Sequence, residues 1–250
     1  VIVVALVVGV LVFFYVLGNP ANFEGGDNTK HPLPGNYLGM MYKGGVLVPI
    51  LMAVMIIVLS VIIERFITLN VASGKGSIQS FVRRIKVLLD GDNVDEAIAE
   101  CDKQKGSVAN VIREGLIKYK DMANTPGLDK EQKVLAIQKE IEESTSLELP
   151  MLEKNLVILA TISSVATLLG LLGTVFGMIR AFSAIATAGA PDAVALSTGI
   201  AEALINTALG ISASAVAIIA YNYFTTKIDG LTYGIDEAGF SIAQTFASKH

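Results

Sequence analysis

The sequence predicts an all-α integral membrane protein in which long transmembrane helices extend into a helical cytoplasmic domain. Three observations carry this. Hydrophobic residues make up 52% of the 250 residues and charged residues 17%, where a soluble domain has roughly a quarter charged, and mean hydropathy is +0.59. The apolar residues fall into four long stretches. The charges crowd into one segment between the second and third of them. This composition excludes a disordered chain, a basic nucleic-acid-binding protein and a disulfide-rich secreted domain. The net charge of -4 decides little, because charge is so unevenly spread. Cys101 is the single cysteine, and His31 and His250 lie far apart, so no metal spacing is present and no cofactor is expected.

Residues 1–18 hold the first apolar run, Val1 to Leu17, closed by Gly18-Asn19-Pro20. It reads as an extra N-terminal transmembrane helix. The alternative is the core of a signal peptide, although no small-residue cleavage site is visible. The run is already under way at Val1, so a natural start further upstream is expected. Residues 19–45 form a loop with only Lys30 and Lys43 as cations, and residues 46–63 form an uncharged second stretch. A bilayer core of about 30 Å needs about 20 helical residues, which these two runs just supply.

Residues 64–155 carry fourteen Lys and Arg and sixteen Asp and Glu. The positive-inside rule places them in the cytoplasm, with most weight on Arg65 and Lys154 beside the membrane. The segment reads as folded. Ile78, Phe81, Val82, Ile85, Leu88 and Leu89 recur at helical spacing, Asp90-Gly91-Asp92-Asn93 ends that helix, and Val94, Ala97, Ile98 and Cys101 make the next stripe. Val108, Val111, Ile112, Gly115, Leu116 and Tyr119 make a third, and Asn124-Thr125-Pro126-Gly127 breaks it. A fourth helix starts near Asp129 and runs toward the third apolar stretch, with Pro150 as the expected kink. Cys101 on its apolar stripe reads as a small buried hydrophobe in preference to a redox group.

The third stretch, 156–188, is interrupted only by Arg180, and the fourth, 193–226, only by Glu202. Each has about 32 residues and reaches about 48 Å, more than lipid needs, so both should project on one side. The turn between them holds Gly189, Pro191 and Asp192. Residues 227–250 follow as a cytoplasmic tail, and both termini are expected in the cytoplasm.

The two long stretches carry the candidate site. Small residues line one side of each: Ala166, Gly170, Gly173, Gly177, Ala181, Ala184 and Ala188, then Gly199, Ala203, Gly210, Ser214 and Ala217. Such stripes let backbones approach, either within one chain or against copies or a partner helix. Glu202 lies about nine residues, roughly 13 Å, below the outward end of its helix. Thr198 and Asn206 flank it at four-residue spacing and complete a polar stripe. A carboxylate there costs several kcal/mol unless hydrated or paired. It is therefore either a group that holds or passes a proton, or a structural acid hydrogen-bonded between helices. Arg180, about eight residues from the outward end, reads as a side chain snorkelling to the interface, with pairing as the alternative. Thr174 and Thr207 sit among the small residues, where a threonine most often bonds back to its own helix.

The motifs resemble a known family. Gly170-Leu171-Leu172-Gly173-Thr174-Val175-Phe176-Gly177-Met178 resembles the GLLGTVxGM signature of the MotA/TolQ/ExbB proton-channel family. Gly199-Ile200-Ala201-Glu202-Ala203-Leu204, with Thr207-Ala208-Leu209-Gly210, resembles its GIxEAL…TAxGL signature, and Tyr221-Asn222-Tyr223-Phe224 its continuation. Gly91-Asp92, Ala97, Cys101 and Gly115-Leu116 fit more weakly. The resemblance covers about residues 46–230, and the glutamate favours the ExbB/TolQ branch, ExbB-like by overall spacing. It implies a ring of five copies around a single-span ExbD-like or TolR-like partner whose membrane aspartate binds protons, driving a TonB-like or TolA-like protein in the inner membrane of a bacterium. The composition excludes a soluble enzyme, no catalytic constellation appears, and no nucleic-acid partner is expected; the resemblance implies protons as the transported ion. It places Thr174 and Thr207 on the proton path and makes Glu202 the membrane carboxylate. Relatives usually carry prolines where this chain has Thr167 and Val216, so straighter helices are expected here.

Two other readings compete. A proton-coupled secondary transporter would show inverted repeats and broken helices, and neither is visible. A membrane scaffold that binds a partner through its cytoplasmic helices would leave Glu202 and its polar neighbours unexplained.

Overall fold

The structure, a computed structural model, describes residues 2–187 and 193–249, without the side chains of 184–195. Ala188, the turn residues Gly189, Pro191 and Asp192, and His250 lie outside the described residues, as does the side chain of Ala184. The described residues are helical throughout, apart from short loops and one isolated β-bridge between Phe23 and Pro32. In chain order the helices are α1 Ile2–Val12, continued by a π-helical turn Phe13–Leu17, α2 Tyr37–Tyr42, α3 Leu47–Ala72, α4 Ile78–Asp90, α5 Val94–Gln104, α6 Ser107–Asn124, α7 Lys130–Glu153, α8 Leu156–Thr187 and α9 Ala193–Lys249. Three helical runs, Leu47–Ala72, Lys130–Ser183 and Leu196–Lys249, are long and apolar enough to cross a membrane, and the helix over Ile2–Leu17 is apolar but shorter. Both α8 and α9 pass Thr167 and Val216 without interruption, as the missing prolines lead one to expect.

The chain divides into two compact units. The first comprises residues 1–63 and 157–221. Here α1 lies close to α3 because Gly9 has no side chain: a Cβ there would stand 2.7 Å from the Pro49 carbonyl oxygen. Phe13, Leu17 and Val48 form a buried cluster, with Met41, Tyr42, Met52 and Leu209 packed around it. The segment 19–45, read as a loop, is ordered by side-chain caps. Asn22 Nδ2 donates to the Val16 and Leu17 carbonyls at 2.8 and 3.0 Å, satisfying helix-end acceptors. Asn36 Oδ1 accepts from Gly39 N at 3.0 Å and starts α2. Tyr42 stacks on Phe13 at 4.7 Å between ring centroids. Leu168, Leu204, Ile211 and Ile219 remain exposed, an apolar exterior suited to lipid or to other membrane helices.

The second unit comprises residues 64–156 and 222–250. Its core follows the periodic stripes: Phe81, Ile85 and Leu89 of α4, Ala97 and Cys101 of α5, and Ile112, Leu116 and Tyr119 of α6 are buried. The expected tail after residue 226 is instead the continuation of α9. Ile228, Leu231, Ile235, Ile242 and Phe246 recur on one face and are buried, and the Phe246 ring meets Tyr119 edge-on at 4.9 Å. Lys249 Nζ donates to the Leu89 carbonyl at 2.8 Å, capping the end of α4. Cys101 is buried, and burial pushes its thiol up to about 12. It is therefore expected to resist maleimide in the folded protein at neutral pH and to react on denaturation, read by mass spectrometry.

α7 begins with a capping box in which Asp129 accepts from Gln132 N at 2.8 Å. The expected kink at Pro150 does not break the helix, which runs on to Glu153. The break lies at Asn155, whose φ of +66° is one that asparagine tolerates better than most residues. Arg65, 1% exposed, fixes this end. Its Nη1 donates to the Met151 and Leu152 carbonyls at 3.3 and 3.2 Å, and its Nε to Glu64 Oε2 at 2.6 Å. Asn155 Nδ2 donates to the same Glu64 oxygen at 3.2 Å.

Candidate functional site

α8 and α9 pack antiparallel along their small residues. Gly170 faces Asn206 and Gly210, Gly173 faces the Asn206 side chain, and Gly210 faces Ala166 and Gly170. At Gly177 a Cβ would stand 2.7 Å from the Gly199 carbonyl oxygen and 2.9 Å from the Ala203 Cβ. Of the two uses open to the stripes, the described residues show packing within one chain. Gly177→Val is expected to push the helices apart, a strain of about 1–3 kcal/mol, and to lower the melting temperature of the detergent-solubilised protein.

Glu202 of α9 is 8% exposed, and its Oε1 accepts from Arg180 Nη1 of α8 at 2.6 Å. Arg180 is thus a partner of the carboxylate rather than only an interfacial anchor. Its side chain is 57% exposed, so the stem reaches outward while one nitrogen is held by the anion. The physical reason is the cost of an unpaired carboxylate among apolar helices, which a charge-assisted hydrogen bond offsets. The pair rests on the Lys43-Gly44-Gly45 turn that leads into α3. Gly45 has a φ of +77°, open chiefly to glycine, and a Cβ there would collide with Glu202 Oε1 and lie 3.3 Å from Arg180 Nη1. The neighbour of Glu202 on this side is therefore the start of α3, not its middle.

Asn206, one turn along α9, is 1% exposed. Its Nδ2 donates to the Gly44 carbonyl at 2.8 Å. Its Oδ1 is buried with no hydrogen-bond partner among the described residues. Thr198 is exposed, so the three-residue polar stripe splits into a buried pair, Glu202 and Asn206, and an exposed end. Thr174 and Thr207 are both half-buried. Thr174 Oγ1 donates back to the Leu171 carbonyl at 2.6 Å. Thr207 Oγ1 donates to Ala203 at 3.2 Å and approaches the Gly170 carbonyl of α8 at 3.4 Å. Thr207 thus reaches α8 at Gly170, whereas Thr174, one turn along α8, bonds back to its own helix and lines an open face of α8 with Val175, Met178 and Ile179.

Sequence reasoning left the roles of Gly44 and Gly45 unmarked, and for Arg180 the structure shows pairing, the alternative to snorkelling. Two signals were present. A Gly-Gly pair stands directly before an apolar stretch. And once Gly177 is set against Gly199 and Ala203 in an antiparallel pair, Arg180 falls within reach of Glu202.

The sequence model of the MotA/TolQ/ExbB proton channel family matches residues 103–237, just over half of the chain. The Tol-Pal system protein TolQ of Pseudomonas aeruginosa is 34% identical over 124 residues, 50% of this chain and 54% of that protein. The biopolymer transport protein ExbB of Pseudomonas putida is 28% identical over 208 residues, 81% of this chain and 61% of that protein. A putative biopolymer transport protein ExbB homolog of Methanothermobacter thermautotrophicus is 28% identical over 196 residues, 78% of this chain and 65% of that protein. The matched part is thus about half to two thirds of each relative's length.

Proposed function

Because the chain belongs to the MotA/TolQ/ExbB proton channel family, we propose that it is the proton-channel subunit of an ExbB–ExbD-like motor in the bacterial inner membrane. In this reading copies of the chain, five by family resemblance, surround a single-span ExbD/TolR-type partner that carries a membrane aspartate. Proton flow through the assembly drives a TonB-like protein and energises transport across the outer membrane. The observation that supports this best is Glu202, a buried carboxylate on an otherwise uncharged membrane stretch, about one turn from Thr207 at the α8–α9 contact. With fourteen cations of residues 64–155 in the cytoplasm, both termini are cytoplasmic and the Gly45 end of the first unit faces the periplasm. Glu202 then stands at the side from which protons enter, and the two threonine oxygens offer acceptor lone pairs to water along the path.

Thr174→Val and Thr207→Val remove these oxygens at near-equal volume. Each is expected to lower proton flux severalfold in liposomes that hold the chain with its partner, while the complex still assembles. Undiminished flux in both would remove the threonines from the path. A TolQ-like motor serving envelope integrity is the second reading, favoured by the higher identity to the TolQ relative over half of the chain. The ExbB relative aligns over much more of it. A deletion strain decides: loss of iron-chelate uptake supports the first, and detergent sensitivity with periplasmic leakage the second.

A further inference from the structure

We propose that Arg180 is a positioning residue of this site, holding the Glu202 carboxylate against the Gly44–Gly45 turn and so latching the start of α3 to α8 and α9. The inference rests on the proton-channel reading for its effect on flux, but its geometry stands apart from it. Four observations meet here. Arg180 Nη1 and Glu202 Oε1 are 2.6 Å apart, linking α8 to α9. Gly45, with its positive φ, leaves the space that the carboxylate occupies, and Arg180 lies beside the same position. One turn further, Asn206 Nδ2 ties α9 to the Gly44 carbonyl at 2.8 Å. Lys43, the cation of that turn, donates to the Asn28 and Thr29 carbonyls at 3.0 Å, so its charge is directed into segment 19–45. Arg180 is the cation the described residues place on Glu202.

The pairing gives the carboxylate a fixed place and a fixed countercharge. Glu202 thereby stays where an incoming proton meets it, and α3 cannot slide along α9 without breaking the Asn206–Gly44 hydrogen bond and the fit of Gly45 against the held carboxylate. Arg180 touches Glu202 through one nitrogen and one oxygen. A lysine ammonium can replace a single contact of that kind, although not a two-pronged one.

The test compares wild type, Arg180→Gln, Arg180→Lys, Glu202→Gln and the double Arg180→Gln/Glu202→Gln, each co-expressed with the single-span partner. Proton flux in liposomes and the melting temperature of the purified complex are measured on all five. Arg180→Gln is expected to lower flux about tenfold, and Arg180→Lys to keep at least about half of it. In the Glu202→Gln background, Arg180→Gln should lower neither flux nor melting temperature further, because the contact is already gone. Two results would overturn the proposal: independent, multiplying losses in the double variant, or Arg180→Lys as impaired as Arg180→Gln. If wild-type complex carries no flux, the channel reading fails on its own. The latch is then judged by the melting temperatures, where additive losses would sink it.

Discussion

Glu202→Gln is expected to leave the complex assembled and to lower proton flux through it at least about tenfold, a barrier of about 1.4 kcal/mol. The amide keeps nearly the volume and shape of the carboxyl group. It still fits above Gly45, although the charge-assisted contact to Arg180 is lost with the anion. What it loses is charge and the ability to bind and release a proton. A fall in flux at constant assembly therefore isolates chemistry from packing. A variant that conducts normally would make Glu202 a purely structural acid, and its 8% exposure would then be explained by the latch alone. Reduced recovery of assembled complex, with normal flux per complex, would carry the same meaning.

The largest effect on stability is expected at Arg65. Arg65→Met keeps an unbranched apolar stem but removes the guanidinium, leaving the Met151 and Leu152 carbonyls without their donor. The buried Leu152 carbonyl, left unsatisfied, costs about 1–3 kcal/mol, while Met151, 61% exposed, recovers water. Glu64, 43% exposed, recovers water, so its share is smaller. A total of about 3 kcal/mol is expected, together with faster amide exchange around residues 150–156 in hydrogen-exchange mass spectrometry. Glu64→Gln should do much less. Unchanged exchange in Arg65→Met would mean that the Asn155 break holds without its clasp.

Much of this molecule was legible in its sequence, and the reasons differ by region. Long apolar runs and periodic stripes announced an all-α membrane protein, because a helix in lipid must satisfy its own backbone. The stripes through Phe81, Cys101 and Leu116 marked the core of the second unit, where burial follows a 3.6-residue period. The C-terminal segment escaped. Ile228, Leu231 and Ile235 carry the same period, but as a direct extension of an apolar helix they offered no boundary to mark. Between α7 and α8 a kink was expected at Pro150, yet a proline near a helix end removes little, and the chain breaks at Asn155, which can take a positive φ. The site was half visible. Glu202 stood out because a charge on an apolar helix is rare. Arg180 and Asn206 stood out too, but their partners did not: Arg180 is 22 positions from Glu202 in sequence and the Gly44 carbonyl 162 positions from Asn206. Only the antiparallel packing of small residues brings them together.

In the proposed function this chain conducts protons as part of an assembly with a single-span partner. The most direct test is proton flux into liposomes holding the chain alone, the chain with the partner, and the Glu202→Gln chain with the partner. Flux is expected only with the partner and is expected to be lost in the variant. Partner-independent proton uptake that depends on an added solute would contradict that reading and point to a secondary transporter.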